Sequence, residues 1–308
     1  MEHSLVRPSG DDDLPALLSF FAEAPWLASE VRLRDAELHL RAGSCWLAER
    51  AGRIVAAALV DAPRHPAWQA QIIACADPEA LDEDLGRVLA LADRAGQEAG
   101  ACPLTYIGDD RWLAREMPAL GFGLVNRIVF YQKHGRTLPE EHGPAPARIR
   151  QAAIRRAATA DLPAALAVDH AAFEPMWWNS TAFLQQALAQ FRFVVAEAAG
   201  VVVGYSLSSL YPEEGHLARV AVRPDWQGRG IGAQLVRDAL GFFWESGLER
   251  VLLNTQQDNA RSQALYRRFG FRADGPTMPV WQMRRARAGP PGAPGGQDAG
   301  TRDIAPGS

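Results

Sequence analysis

Arg219-Val220-Ala221-Val222-Arg223-Pro224-Asp225-Trp226-Gln227-Gly228-Arg229-Gly230-Ile231-Gly232-Ala233 reads as an apolar strand running into a glycine-rich turn that opens a helix. Leu235, Val236, Ala239, Leu240 and Phe243 follow at helical spacing, which places the glycines at the helix N-terminus. The first N–H groups of a helix lack internal partners and carry the positive end of its dipole, so this position suits a pyrophosphate. Glycine at 228, 230 and 232 removes the side chains that would hold an anion away from the backbone. A dinucleotide fold offers a similar turn, but it needs an acidic residue about 20 positions on to hold a ribose. Here that segment is Gly241 to Ser246, still helical in pattern.

Downstream, Val251 to Thr255 reads as a strand, and Asp258-Asn259-Ala260-Arg261-Ser262-Gln263-Ala264-Leu265-Tyr266-Arg267-Arg268-Phe269-Gly270-Phe271 as a short helix. Asp258 or Asn259 can cap its start, and Gly270 suits its end. Together, Gln-x-x-Gly-x-Gly after a strand and then Asp-Asn-x-x-x-x-x-Leu-Tyr-x-x-x-Gly-Phe resemble the GNAT superfamily of acetyl-CoA-dependent N-acetyltransferases. The resemblance covers roughly residues 150 to 285 and comes nearest to enzymes that acetylate the N-terminus of ribosomal proteins. It implies a mixed sheet whose fourth and fifth strands splay apart to admit the pantetheine arm. It also implies that Val220, Ala221 and Val222 face pantetheine and thioester, that Gln227, Gly228, Arg229, Gly230, Ile231, Gly232 and Ala233 wrap the pyrophosphate, and that Asn259 lies near the pantetheine.

The 308 residues suffice for two domains, and 48% hydrophobic content suits buried cores. With a net charge of −4, a single lysine (Lys133) and dispersed arginines, nucleic-acid binding is not expected. Met1 to Leu5 lacks the pattern of a secretory signal, and no apolar run reaches membrane-span length, so a cytoplasmic protein without membrane contact is expected. Cys45, Cys75 and Cys102 lack metal-site spacing and read as buried thiols, and no metal is implied.

The chain also repeats itself at a displacement of roughly 148 residues. Asp13-Leu14-Pro15-Ala16 recurs as Asp161-Leu162-Pro163-Ala164, and Cys45 to Ala56 parallels Phe193 to Gly204, two strands and a tight turn. Gly121-Phe122 matches Gly270-Phe271. The expected fold class is therefore α/β, with two tandem GNAT-like domains, each a mixed, mostly antiparallel sheet flanked by helices. Residues 1–134 form a degenerate copy, 135–150 a Pro/Gly-containing linker, 151–287 the catalytic copy, and 288–308 a disordered Gly/Pro-rich tail. In the first copy Leu81-Asp82-Glu83-Asp84-Leu85-Gly86 stands opposite Gln227 to Gly232, and its carboxylates are expected to repel a pyrophosphate. Met117 stands opposite Tyr266. Such a tandem could replace the partner subunit of a homodimer, which makes a monomer plausible.

N-acetylation needs a neutral amine, donors for the developing oxyanion and an acid for the leaving thiolate. Tyr266 matches the family tyrosine that reaches the cofactor sulfur, against the plainer reading of an aromatic packed beside Leu265 and Phe269. The ribosomal-protein enzymes carry a glutamate where this chain has Asn254, which cannot take a proton. Histone acetyltransferases carry one at the start of the fourth strand, which falls on His216, with Glu213 and Glu214 just before it. An exposed loop end of ordinary charged residues is the competing reading. Trp177 and Trp178 fall in the segment that lines the acceptor site in related enzymes, and Arg219 and Tyr211 could face it too. The acceptor amine stays open between a peptide N-terminus and a small molecule, as in the tandem mycothiol synthase. A cofactor-binding module without turnover is the third reading.

Overall fold

The computed structural model describes residues 4–61, 66–138 and 152–285. The tail expected at 288–308 and all but the first four residues of the expected linker lie outside them. In the first half the strands are β1 (Leu5–Pro8), β2 (Trp26–Ser29), β3 (Ser44–Arg50), β4 (Arg53–Asp61), β5 (Gln69–Cys75), β6 (Thr105–Ile107) and β7 (Phe122–Lys133). The helices there are α1 (Leu14–Glu23), α2 (Ala36–Ala42), α3 (Pro78–Ala80), α4 (Gly86–Glu98) and α5 (Arg111–Glu116). The second half adds strands β8 (Ala153–Arg156), β9 (Arg192–Ala198), β10 (Val201–Leu210), β11 (Gly215–Val222), β12 (Val251–Gln256), β13 (Arg272–Ala273) and β14 (Met278–Met283). Its helices are α6 (Leu162–Ala172), α7 (Thr181–Gln190), α8 (Ile231–Glu245) and α9 (Ala260–Arg268).

The repeat extends to individual side chains. Arg7 pairs with Asp13 at 2.6 Å and with Glu49 at 3.2 Å, while Arg155 pairs with Asp161 at 2.7 Å and Glu197 at 2.9 Å, at the same displacement. The hairpin turns Ala51-Gly52 and Ala199-Gly200 both place two residues at positive φ, the backbone that a two-residue turn between right-twisted strands requires.

The two halves do not keep separate sheets. One sheet of 14 strands runs β1-β3-β4-β5-β6-β14-β7-β12-β11-β10-β9-β8, with β2 paired to β5 and β13 to β7. The last strand of the chain, β14, therefore sits between β6 and β7 of the first half. In return, the end of β7 (Ile128 to Lys133) pairs with β12 on one edge, and Tyr131 and Gln132 pair with β13 on the other. Each half thus completes its sheet with a strand from the other. Helices pack on both faces: Leu217, Val236, Leu240, Phe243, Leu253, Tyr266 and Phe271 share one apolar core, and Leu162, Val168, Leu184, Phe193, Tyr205 and Ala221 another.

Candidate active-site cleft

Strands β11 and β12 run parallel but pair only at Gly215 with Val251 and His216 with Leu252. Beyond these residues they part, and a cleft of about 690 Å³ opens through the sheet. On one side it reaches the head of α8 and the start of α9; on the other it meets Phe173, Glu174 and Trp177. Val220, Ala221 and Val222 form the strand wall, and Gln227, Gly228, Gly230, Ile231, Gly232, Ala233 and Asn259 line the cofactor side.

Gly230 caps α8 in the left-handed conformation at φ 82°, a backbone that costs an L side chain about 1–2 kcal/mol. The first helical bond is Gln234 N–H to Gly230 carbonyl at 3.0 Å, which leaves the amides of Ile231, Gly232 and Ala233 ahead of the ladder, pointing out of the helix head. Gln227 ties this turn to the strand by donating to the Val222 carbonyl at 2.9 Å, and Arg261 donates to its side-chain oxygen. Asn259 caps α9, its side-chain oxygen accepting from Ser262 N–H at 3.1 Å. Arg261 and Arg268 also line the cleft; sequence reasoning missed both, although their place on the motif helix was visible. Free amides, two guanidiniums and an unfilled strand edge fit the diphosphate and pantetheine of acetyl-CoA. Arg229 instead stacks over Trp226 at 4.6 Å and donates to the Asp225 carbonyl at 3.0 Å, away from the lining.

Tyr266 reaches the waist of the cleft from α9 and is almost fully buried, with Tyr131 of the first half and Phe271 at 6.3 and 6.0 Å. Burial pushes its phenol up to about 12, with Arg219 opposing the shift. His216 and Glu214 do not line the cleft. His216 stands in register with Leu252 at the closed end of the strand pair, four residues before Val220 and so about 13 Å along the strand. Burial lowers its pKa below 6.5, against a smaller upward pull from Glu214. Glu214 is paired with Arg250 at 3.0 Å.

The acceptor-side wall is organised by a carboxylate that the sequence reading did not single out. Asp169, fully buried on α6, accepts from Tyr205 hydroxyl at 2.5 Å, from Arg219 Nη2 at 2.7 Å and Nε at 3.0 Å, and from the backbone N–H of Asn179 at 2.7 Å. Arg219 also donates to the Trp177 carbonyl at 2.6 Å and lies 3.6 Å over the Phe173 ring. The available signal was an aspartate continuing the apolar stripe of Leu162, Ala165 and Val168. Trp178 turns away from the cleft, donating to the Phe173 carbonyl at 2.7 Å and stacking on His170. Asn126 of β7 also lines the cleft, so the first half contributes a side chain to it.

The equivalent place in the first half is filled. Strands β5 and β6 pair only at Gln69 with Thr105, the counterpart of Gly215 with Val251. In the gap beyond, β2 pairs with β5 from Ser29 with Ile72 to Trp26 with Cys75. Glu30 extends the filling by accepting from Ile107 N–H on β6 at 2.7 Å. The glycine turn is replaced by continuous helix: α3 begins at Pro78, passes through a π-helical turn at Leu81–Leu85 and continues as α4. The repulsion expected of Asp82, Glu83 and Asp84 is therefore not the main barrier. Asp84 is buried against Arg50 at 2.5 Å and Arg87 at 3.4 Å, and only Asp82 and Glu83 reach solvent.

Among the described residues no cluster of three or more His, Cys, Asp or Glu could hold a metal, and no helix is long and apolar enough to cross a membrane. The model of the acetyltransferase (GNAT) family matches residues 156–271. An L-methionine sulfoximine/L-methionine sulfone acetyltransferase of Pseudomonas aeruginosa is 34% identical over 148 residues, covering 42% of this chain and 86% of that protein. The ribosomal protein bS18 alanine N-acetyltransferase of Escherichia coli is 27% identical over 113 residues, covering 37% and 76%. In fold, a tandem GNAT protein from the clavulanic acid biosynthesis pathway matches with a TM-score of 0.53 at 18% identity, covering 94% of this chain and 100% of that one. A GCN5-related N-acetyltransferase from Sphaerobacter thermophilus matches at 0.55 and 18% identity, covering 92% and 96%. With its parted strands, its glycine-capped helix head and relatives of this kind, the chain belongs to the GNAT family of acetyl-CoA-dependent N-acetyltransferases.

Proposed function

We propose that the chain moves the acetyl group of acetyl-CoA to a primary amine inside the β11–β12 cleft, with the first half as scaffold and not as a second catalyst. The observation that carries this reading is the contrast between the two gaps: one opens onto free helix-head amides, the other is filled by β2. Acetyl-CoA supplies an activated thioester. The amides of Ile231, Gly232 and Ala233, with Arg261 and Arg268, hold the diphosphate, and the free edge of β11 at Val220 to Val222 orients the pantetheine.

Tyr266 then gives its proton to the leaving thiolate, and its raised pKa keeps that proton in place until the thiolate forms. The amine must arrive neutral. His216, kept uncharged near neutrality by burial, takes the amine's proton through water along the sheet face, since Asn254 carries no carboxylate to the position where the ribosomal-protein enzymes have one. Glu214, held by Arg250, supports the strand end. Relatives named for an amino-acid analogue and for a protein N-terminus leave both acceptor sizes represented.

Thiol release from acetyl-CoA, followed across free amino acids, small amines and N-terminal peptides, tests the reading. It should appear with at least one class and vanish in Gly230→Val. Acetyl-CoA binding with no thiol release from any amine would replace it with a non-catalytic binding module.

A further inference from the structure

The acceptor side of the cleft continues along the sheet. Ile128 faces Gln256 and Phe130 faces Asn254 in register, and Gln132 faces Leu252; residues directly opposed in an antiparallel ladder share a face. Asn126 belongs to the same alternate row as Ile128 and Phe130. The opposite face is closed by Tyr131, Val251 and Leu253 in the core beneath α8. On the near face Asn254 is exposed, and Ile128, Phe130, Leu252 and Gln256 are half-buried.

This row joins two hollows. Asn126 and Gln256 line the catalytic cleft. Phe130 and Leu252 line a second hollow of about 330 Å³, closed by Pro276 and Met278; exposed Asp109 and Asp274 line it too, as does Arg250, whose charge is met by Glu214 at 3.0 Å. From Gln256 to Leu252 is four strand rises, about 13 Å. An extended peptide advances by the same rise per residue, so its backbone can follow this row with side chains reaching the bed at alternate positions.

Resting on the acetyl-transfer reading above, we propose that the acceptor is an extended peptide N-terminus. Its amine enters the cleft between Asn126 and Gln256, and an apolar side chain about four residues further on fills the hollow between Phe130, Leu252 and Met278. Asp109 and Asp274 favour a basic residue beside that side chain. One wall of this bed comes from β7, so the first half sets which peptide is accepted although its own slot is filled.

The test is thiol release from acetyl-CoA with seven-residue peptides in which one leucine is moved from the third to the sixth position against serine, alongside dipeptides and amino-acid amides. The expected result is a kcat/KM maximum with leucine near the fifth position, about tenfold or more above the serine peptide and the dipeptide. Met278→Ser should flatten that maximum while acetyl-CoA affinity, measured by calorimetry, stays unchanged and shows the fold intact. Equal rates for dipeptides and every heptapeptide, or a leucine preference that survives Met278→Ser, would overturn the peptide bed alone. No release from any amine would overturn the acetyl-transfer reading and the bed with it.

Discussion

Arg219 Nη2 stands 2.7 Å from the Oδ1 of Asp169, a strand guanidinium meeting a helix carboxylate that solvent does not reach. The same guanidinium holds the Trp177 carbonyl and covers the Phe173 ring, so one ion pair fixes the turn that walls the acceptor side. Removing the carboxylate strands a part-buried cation and leaves the Tyr205 hydroxyl without its acceptor, although Asn179 Nδ2 still donates to it at 3.1 Å. Asp169→Ala should therefore cost about 3–5 kcal/mol of stability, read from the denaturation midpoint. Asp169→Asn should fold and raise the KM of the acceptor more than that of acetyl-CoA. An equal rise in both would mean that the pair serves the fold and not the acceptor wall.

Tyr266→Phe keeps the ring packed against Tyr131 and Phe271 and removes only the phenolic hydroxyl, and with it the proton it would donate. Turnover should fall by about 10²- to 10⁴-fold, the usual scale of a lost general acid. Acetyl-CoA affinity by calorimetry should stay within about twofold of wild type. Because the phenol titrates only near 12, wild-type kcat should show no alkaline limb from this group at any pH the fold is normally assayed.

His216 gives a pH signature with a fixed sign. Its folded pKa lies below the unfolded 6.5, so on acidification the unfolded chain takes up a proton before the folded one does. The stability that this group contributes is present above about 6.5 and is lost as pH falls through the folded value. His216→Leu should flatten that part of the stability profile. If His216 receives the amine's proton, the acid limb of kcat/KM lies below 6.5 and disappears in the variant. A limb that persists there would assign the proton to water or the acceptor itself.

Titration of the whole chain with acetyl-CoA should give one site, since β2 fills the first half's gap from Trp26 to Ser29. Gly230→Val should abolish that site, because the side chain meets a left-handed backbone at the helix head. A second site surviving in Gly230→Val would place cofactor binding in the first half.

The glycine turn, the motif tyrosine and the repeat were legible in the chain because each depends on local spacing. Gly230, Asn259 and the Asp13/Asp161 pair occupy positions that adjacent residues dictate. What spacing cannot carry is pairing between distant segments. Nothing in Met278 to Met283 states that it will lie between β6 and β7, and nothing in Trp26 to Ser29 states that it will close a gap beside β5. The carboxylates at 82–84 looked decisive on paper, whereas Arg50, 34 residues before Asp84, turns one of them into a buried ion pair. Asp169 was hidden for a related reason: its partners Tyr205 and Arg219 come from strands 36 and 50 residues away.

The reciprocal exchange of β7 and β14 also bears on synthesis. A ribosome delivers the amino-terminal portion first, yet the groove between β6 and β7 receives its occupant only when Met278 to Met283 emerge. Until then the nascent molecule presents two raw hydrogen-bonding borders, an invitation to chaperones or to misassembly with a neighbour. Severing the polypeptide after Lys133 would not release two independent enzymes; it would yield fragments that must find each other to close.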